Sequence, residues 1–121
     1  MERKPLVWLG DSLEKLRAFP ARVRRDIGFA LDFAQAGDRH GDAKPLKGFG
    51  GAGVLAVIED FDGDTYRAVY TVKLAGMVYV LHVFQKKSKR GIATAQTELD
   101  LIKERLKQAR AHHRRAFQRG K

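Results

Sequence analysis

Hydrophobic and polar positions alternate in a way that divides the chain into successive elements. Leu6-Val7-Trp8-Leu9 follows Pro5 and predicts a short opening strand. Gly10-Asp11 is a turn, and Asp11 stands three positions before Glu14, the spacing of a helix capping box. Leu13, Leu16 and Phe19 then recur at helical spacing. Pro20 ends that helix and fits the first turn of the next, where its missing N–H is no loss. Val23, Ile27, Ala30, Leu31 and Ala34 mark one face of a second helix over 21–36, and Gly37 is its stop. Residues 38–53 read as a polar, glycine-rich connection. Three strand-like runs follow, over 54–59, 65–74 and 77–85, separated by Asp60-Phe61-Asp62-Gly63-Asp64 and by Ala75-Gly76, which predicts an antiparallel meander. After a basic loop at 86–91, a last helix opens at Thr94 or Thr97 and carries Leu99, Ile102, Leu106 and Ala109 on its apolar stripe. Beyond Gln108 the stripe fades, which predicts a fraying basic tail.

The expected fold is therefore α+β, a small antiparallel sheet with helices packed on one face, in the order β-α-α-β-β-β-α. The other sheet face stays partly open. The division expected is a single domain over 1–110 and a basic C-terminal extension over 111–121.

Strand alternation maps side chains onto faces. Tyr66, Ala68, Tyr70 and Val72 point one way; Arg67, Val69 and Thr71 point the other. In the next strand Val78, Val80, His82 and Phe84 share a face, with Lys86 continuing the parity. With a two-residue turn at Ala75-Gly76 and no bulge, Arg67 falls opposite Phe84, within diagonal reach of His82 and Lys86. A guanidinium, an imidazole and an ammonium on one face form a candidate anion site. The bland alternative is a packed histidine and an arginine paired with a carboxylate such as Glu59.

Charge and composition narrow the partners. Among 121 residues, 24 Lys+Arg against 14 Asp+Glu give a net charge of +10. Such a balance favours a polyanionic partner, nucleic acid before a membrane surface or an acidic protein. Without cysteine, disulfides, thiolate catalysis and thiolate metal sites are excluded. The longest apolar run, 74–84, is about half the length of a membrane span, and the N-terminal apolar stretch is too short for a signal-peptide core. A cytoplasmic setting is expected. His and acidic residues show no metal-ligand spacing, so neither metal nor cofactor is expected. The glycine-rich stretch 48–53 lacks a following Lys-Ser/Thr and leads into a strand, unlike a nucleotide-binding loop.

The stretch Tyr66-Arg67-Ala68-Val69-Tyr70, then Tyr79-Val80-Leu81-His82-Val83-Phe84-Gln85-Lys86-Lys87-Ser88-Lys89-Arg90-Gly91, then a helix opening at Ala93-Thr94, resembles the phage-derived, HigB-like branch of the RelE/ParE toxin superfamily. Lys44-Pro45-Leu46-Lys47-Gly48 is similar to the loop before that family's meander. The resemblance implies the toxin of a type II toxin–antitoxin pair, a metal-free endoribonuclease that cleaves mRNA on the ribosome and blocks translation. It also implies a cognate helix-turn-helix antitoxin as partner, for which the helical hairpin and the last helix are candidate docking surfaces. Metal-free cleavage needs a base for the attacking 2′-hydroxyl, cations for charge on the phosphoryl oxygens and an acid for the departing 5′-oxygen. By resemblance Arg67 stabilises the phosphate and Lys86 holds it or acts on the leaving oxygen. His82, the one histidine inside the meander, is the acid–base candidate. Lys47, Lys87, Lys89 and Arg90 are expected to contact the RNA backbone. Unlike better-known nucleases of the superfamily, the chain has no Tyr or His between Gly91 and Arg110. Two alternatives stay open: a ParE-like gyrase inhibitor that cuts nothing, and a small basic nucleic-acid-binding protein without enzyme activity.

Overall fold

The computed structural model describes residues 3–86 and 94–119. The chain runs β1 (Leu6–Trp8), α1 (Ser12–Arg17), α2 (Ala21–Gln35), β2 (Ala43–Pro45), a single 3₁₀ turn (Gly50–Ala52), β3 (Val54–Phe61), β4 (Asp64–Thr71), β5 (Val78–Lys86) and α3 (Gln96–Arg119). The strands form one five-stranded sheet in the order β1-β5-β4-β3-β2. β1 runs parallel to β5, and every other pair is antiparallel. The sheet is thus mixed rather than antiparallel, and it has one strand more than the sequence pattern predicts.

Local chemistry explains the boundaries. Pro20 precedes the first turn of α2 with φ −54°, and Val23, Ile27, Ala30, Leu31 and Ala34 are buried at helical spacing. Gly37 takes φ +90°; its N–H donates to the Ala34 carbonyl and that of Asp38 to the Phe33 carbonyl, a paired closure that satisfies the last free carbonyls. Asp62 and Gly63, both at positive φ, join β3 to β4 in the tight turn that Asp-Gly favours. Asp11 precedes α1 but makes no side-chain cap bond; its carboxylate accepts from Arg105 instead.

The helices do not share a face. Val23, Ile27 and Leu31 of α2 pack with Ala68, Tyr70, Val78, Val80 and Val83. Ile102, Leu106 and Ala109 of α3 pack with Val69, Tyr79, Leu81 and Phe84 on the opposite side. The expectation of helices on one face and an open floor on the other is therefore corrected. A sheet whose two sides both carry large apolar residues has to be covered twice. α3 also continues through 111–119 instead of fraying. His112 and His113 hold it there: the Tyr79 hydroxyl lies 2.8 Å from His112 Nδ1, and His113 Nε2 lies 2.9 Å from the Ala75 carbonyl oxygen. No helix among the described residues is long and apolar enough to cross a membrane.

Two polar groups under α2 bear on stability. The Tyr70 side chain is fully buried, and its hydroxyl has no hydrogen-bond partner among the described residues. Burial pushes its pKa up to about 12, against the pull of Arg39. Removing an unmatched buried hydroxyl is favourable, so Tyr70→Phe is expected to raise stability by roughly 1 kcal/mol in a urea titration. Glu59 is partly buried beside Asp42, Asp26 and Asp60. Burial first, then the hydrogen bond with Asp42 and the neighbouring negative charges, push its pKa from 4.5 to about 7. A folded-state value above the unfolded one favours folding while the group is protonated. That contribution is complete below pH 4.5 and is lost as pH rises through about 7. Glu59→Gln should match the wild type at pH 5 and exceed it at pH 8. Partial solvation limits the gain to about 1 kcal/mol, read from melting curves at both pH values.

Candidate functional site

β4 and β5 align where the expected site lies. Arg67 pairs with Phe84 and Thr65 with Lys86, so Lys86 is diagonal to Arg67 on the same sheet face. The pairing is interrupted one step further in. Val69 opposes His82, but Tyr70 opposes Val80, which leaves Leu81 as the extra residue of a β-bulge. The bulge places Leu81 and His82 together on the α3 side. It also returns Val78, Val80 and Val83 to the α2 side. The expected grouping of Val78 and Val80 with His82 and Phe84 is corrected accordingly.

Arg67 is only 2% exposed, and its Nη1 donates to Thr94 Oγ1 at 3.1 Å. Both residues line a cleft of about 470 Å³. Ala56, Ile58 and Arg67 form the floor of this cleft. Lys44, Pro45, Leu46 and Lys47, on β2 and the turn after it, make one wall, and Thr94 and Leu99 make the other. β2 positions that lysine wall: Lys44 pairs with Ala56, and the Leu46 N–H donates to the Val54 carbonyl. Burial lowers the Arg67 pKa and Asp60 opposes the shift, yet a guanidinium keeps its charge in such a place. The cleft thus offers a fixed cation at its base, lysines at its mouth and apolar surface between them. A phosphodiester beside a flat, weakly polar group fits that combination.

His82 lies outside this cleft, 1% exposed beneath the first turns of α3. Its Nε2 is 2.9 Å from Glu98 Oε1, and its Nδ1 is 3.2 Å from Arg105 Nη1. A guanidinium has no lone pair to offer, so Nδ1 accepts and Nε2–H donates to Glu98, the pattern of a neutral ring. Burial lowers the His82 pKa below 6.5; Glu98 opposes this and the positive charges of Arg105 and Lys15 add to it. Protonation therefore works against folding. The stability this group provides is intact above pH 6.5 and is lost as pH falls through the lower folded-state value. The ring also stacks on Phe84, with centroids 4.7 Å apart and planes at 18°.

Lys47 is exposed at the cleft mouth and Lys86 is half-buried at the end of β5. Lys87, Lys89 and Arg90 lie outside the described residues. Three contributors escape sequence reading. Lys44 and Thr94 reach the cleft, and Arg105, next to Leu106 of the apolar stripe, turns inward with its side chain 11% exposed. The Lys44-Pro45 dipeptide before an apolar strand and the Thr94 hydroxyl at a helix start are signals too common to have marked them. Among the described residues, no group of three or more His, Asp or Glu side chains stands where it could hold a metal ion.

Comparison with curated proteins and with solved structures returned no match. A family model described as phage-derived protein, Gp49-like (DUF891), matches residues 14–107. That span takes in α1 from Glu14 onward, all of α2, the strands β2–β5 and the portion of α3 that walls the cleft. The chain belongs to the Gp49-like family of phage-derived proteins.

Proposed function

We propose that this protein is the toxin of a type II toxin–antitoxin pair and that it cleaves mRNA without a metal ion, blocking translation at the ribosome. Membership of the Gp49-like family supports the toxin reading. The observation that carries the chemistry is the buried Arg67 at the base of a cleft whose wall bears Lys44 and Lys47. In this reading the RNA 2′-hydroxyl gives up its proton to water as its oxygen attacks the adjacent phosphorus, and the bond to the 5′-oxygen breaks as that oxygen takes a proton from water. A cyclic phosphate and a 5′-hydroxyl end result. Arg67 holds the phosphoryl oxygens as negative charge grows on them. Lys86, on the same sheet face, supports the phosphate or the departing oxygen, and Lys47 steadies the strand at the mouth. Lys87, Lys89 and Arg90 extend the backbone contacts. His82 acts as a positioning residue, tying the first turns of α3 to β5 through Glu98 and Arg105.

The partner in this reading is a helix-turn-helix antitoxin. Phe29 and Phe33, 54% and 44% exposed one turn apart on α2, form an apolar patch with Arg25 one turn before it. An acidic amphipathic segment complements such a patch.

Induced expression followed by mapping of transcript ends tests the activity. The expected result is arrested protein synthesis with new transcript ends. DNA damage with intact transcripts would assign the protein to gyrase inhibition, and neither effect would leave a passive binder.

A further inference from the structure

The two flanks of α3 carry different chemistry. On one, Arg105 reaches down to Asp11 at 3.0 Å. The other flank carries Leu99, which walls the cleft, and continues along the helix with Lys103, Lys107, Arg110 and Arg114. These four cations follow an i, i+4, i+7, i+11 spacing, which keeps them in one row at 3.6 residues per turn. All four are exposed, and none enters an ion pair among the described residues. Of the acids of α3, Glu98 bonds to His82 and Glu104 stands off the row, while Asp100, seven residues before Lys107, lies in line with the row at its cleft end and accepts from Gln96. A row that only solvated the helix would be expected to mix signs through i, i+4 pairs. Here the four charges from Lys103 outward have one sign, and Asp100, the single acid in line with them, is at the cleft end.

We infer that Lys103, Lys107, Arg110 and Arg114 form a phosphate track that grips a single RNA strand beyond the linkage held at Arg67. The inference rests on reading the cleft as a phosphodiester site and adds to it a direction for the strand, outward along the length of α3. At 1.5 Å per residue the row is about 16 Å long, enough for several phosphates. Contacts of this kind read charge and spacing rather than base identity, so the track supplies affinity and alignment without sequence preference.

Binding of two labelled oligoribonucleotides across a salt series tests the track. One is a tetranucleotide confined to the cleft; the other, of about 14 nucleotides, can also reach the row. The α3 variant replaces Lys103, Lys107, Arg110 and Arg114 by Gln, a good helix former at exposed positions. A control variant replaces Arg17, Arg22, Arg24 and Arg25 by Gln, removing the same charge from the opposite face of the sheet. Thermal melts confirm that both fold. For the longer strand, the α3 variant should bind about tenfold or more weakly, with a log–log salt slope shallower by roughly 2–3. Tetranucleotide binding should stay unchanged, and the control should lose far less. An unchanged slope in the α3 variant, or an equal loss in the control, would overturn the track. If either occurs while Arg67→Met still abolishes tetranucleotide binding, the cleft stands and only the track falls. If the wild-type protein binds neither strand, both readings fall together.

Discussion

Replacing Arg67 by alanine is expected to slow RNA cleavage about 100- to 1,000-fold, the usual cost of losing one fixed donor to a developing phosphoryl charge. Toxicity in cells should disappear with it. The argument is electrostatic. At the base of the cleft Arg67 is almost entirely removed from water, so its interaction with a phosphate is screened far less than that of an exposed lysine. The bond to Thr94 holds one nitrogen in place before substrate arrives, leaving little reorganisation for the reacting state. Arg67→Lys should recover less than about a tenth of the lost rate, because a single ammonium cannot present two parallel donors and loses its proton more readily when buried. Arg67→Met is the control for folding, since it fills similar volume without charge. Full cleavage by a folded Arg67→Met protein would remove this side chain from the chemistry. A melt matching the wild type with cleavage lost would locate its role in catalysis rather than in packing.

Parts of this site are written in local sequence and parts are not. The turn that the sequence marks over 60–64 narrows in the structure to Asp62-Gly63, which places Ile58 beside Arg67 as β3 pairs with β4. Arg67 does pair with Phe84, as counting outward from Ala75-Gly76 expects, but through two departures that cancel: residues 72–77 rather than a two-residue turn join the strands, setting Thr71 against Tyr79 one residue out of the count, and the bulge at Leu81 restores it. The same count fails at Val80, because the run Tyr79-Val80-Leu81-His82-Val83-Phe84 is apolar at nearly every position. Alternation in such a run carries no mark of an extra residue. β2 is hidden for a different reason. Its three residues, Ala43–Pro45, are held by main-chain bonds at a sheet edge, where Lys and Pro are tolerated and hydrophobic periodicity is absent. The placement of α3 was legible in principle. Every residue of β4 from Thr65 to Thr71 is buried, the signature of a strand covered on both sides, but Arg67 and Thr71 make its second face look half-polar. That disguise is what turns an expected open floor into a covered cleft. The helix end at 111–119 was obscured in the same way, since His112 and His113 count as polar in a periodicity and yet pack against β5 and its preceding turn.

Removing the Arg105 side chain is expected to destabilise the fold by about 3 kcal/mol, with Arg105→Ala shifting the denaturation midpoint at unchanged slope. Three acceptors depend on this guanidinium. Nη1 lies 3.1 Å from the carbonyl oxygen of Leu81, the extra residue of the bulge, and 3.2 Å from His82 Nδ1; Nη2 lies 3.0 Å from Asp11 Oδ1. A bulge leaves its extra residue outside the regular ladder, so the Leu81 carbonyl would be buried without its donor if Arg105 were absent. Asp11 loses less, because its side chain is 44% exposed and water can replace the bond. Desolvation raises the Asp11 carboxyl, but the hydrogen bond from Arg105 and the charges of Lys15 and Arg105 outweigh it and hold the pKa below 3.8. A double-mutant cycle separates these parts: coupling of Arg105 to Asp11 should stay below about 1 kcal/mol, and coupling to His82 should exceed it. Gly10 supplies an independent check. Its φ is +55°, and a Cβ there would stand 2.6 Å from Arg105 Nη2, so Gly10→Ala strains the backbone and displaces the guanidinium together. Its cost should shrink in an Arg105→Ala background, where only the backbone strain remains. A loss below about 1 kcal/mol for Arg105→Ala alone would mean that solvent reaches the bulge and that α3 is held to β5 by its apolar stripe without help from this network.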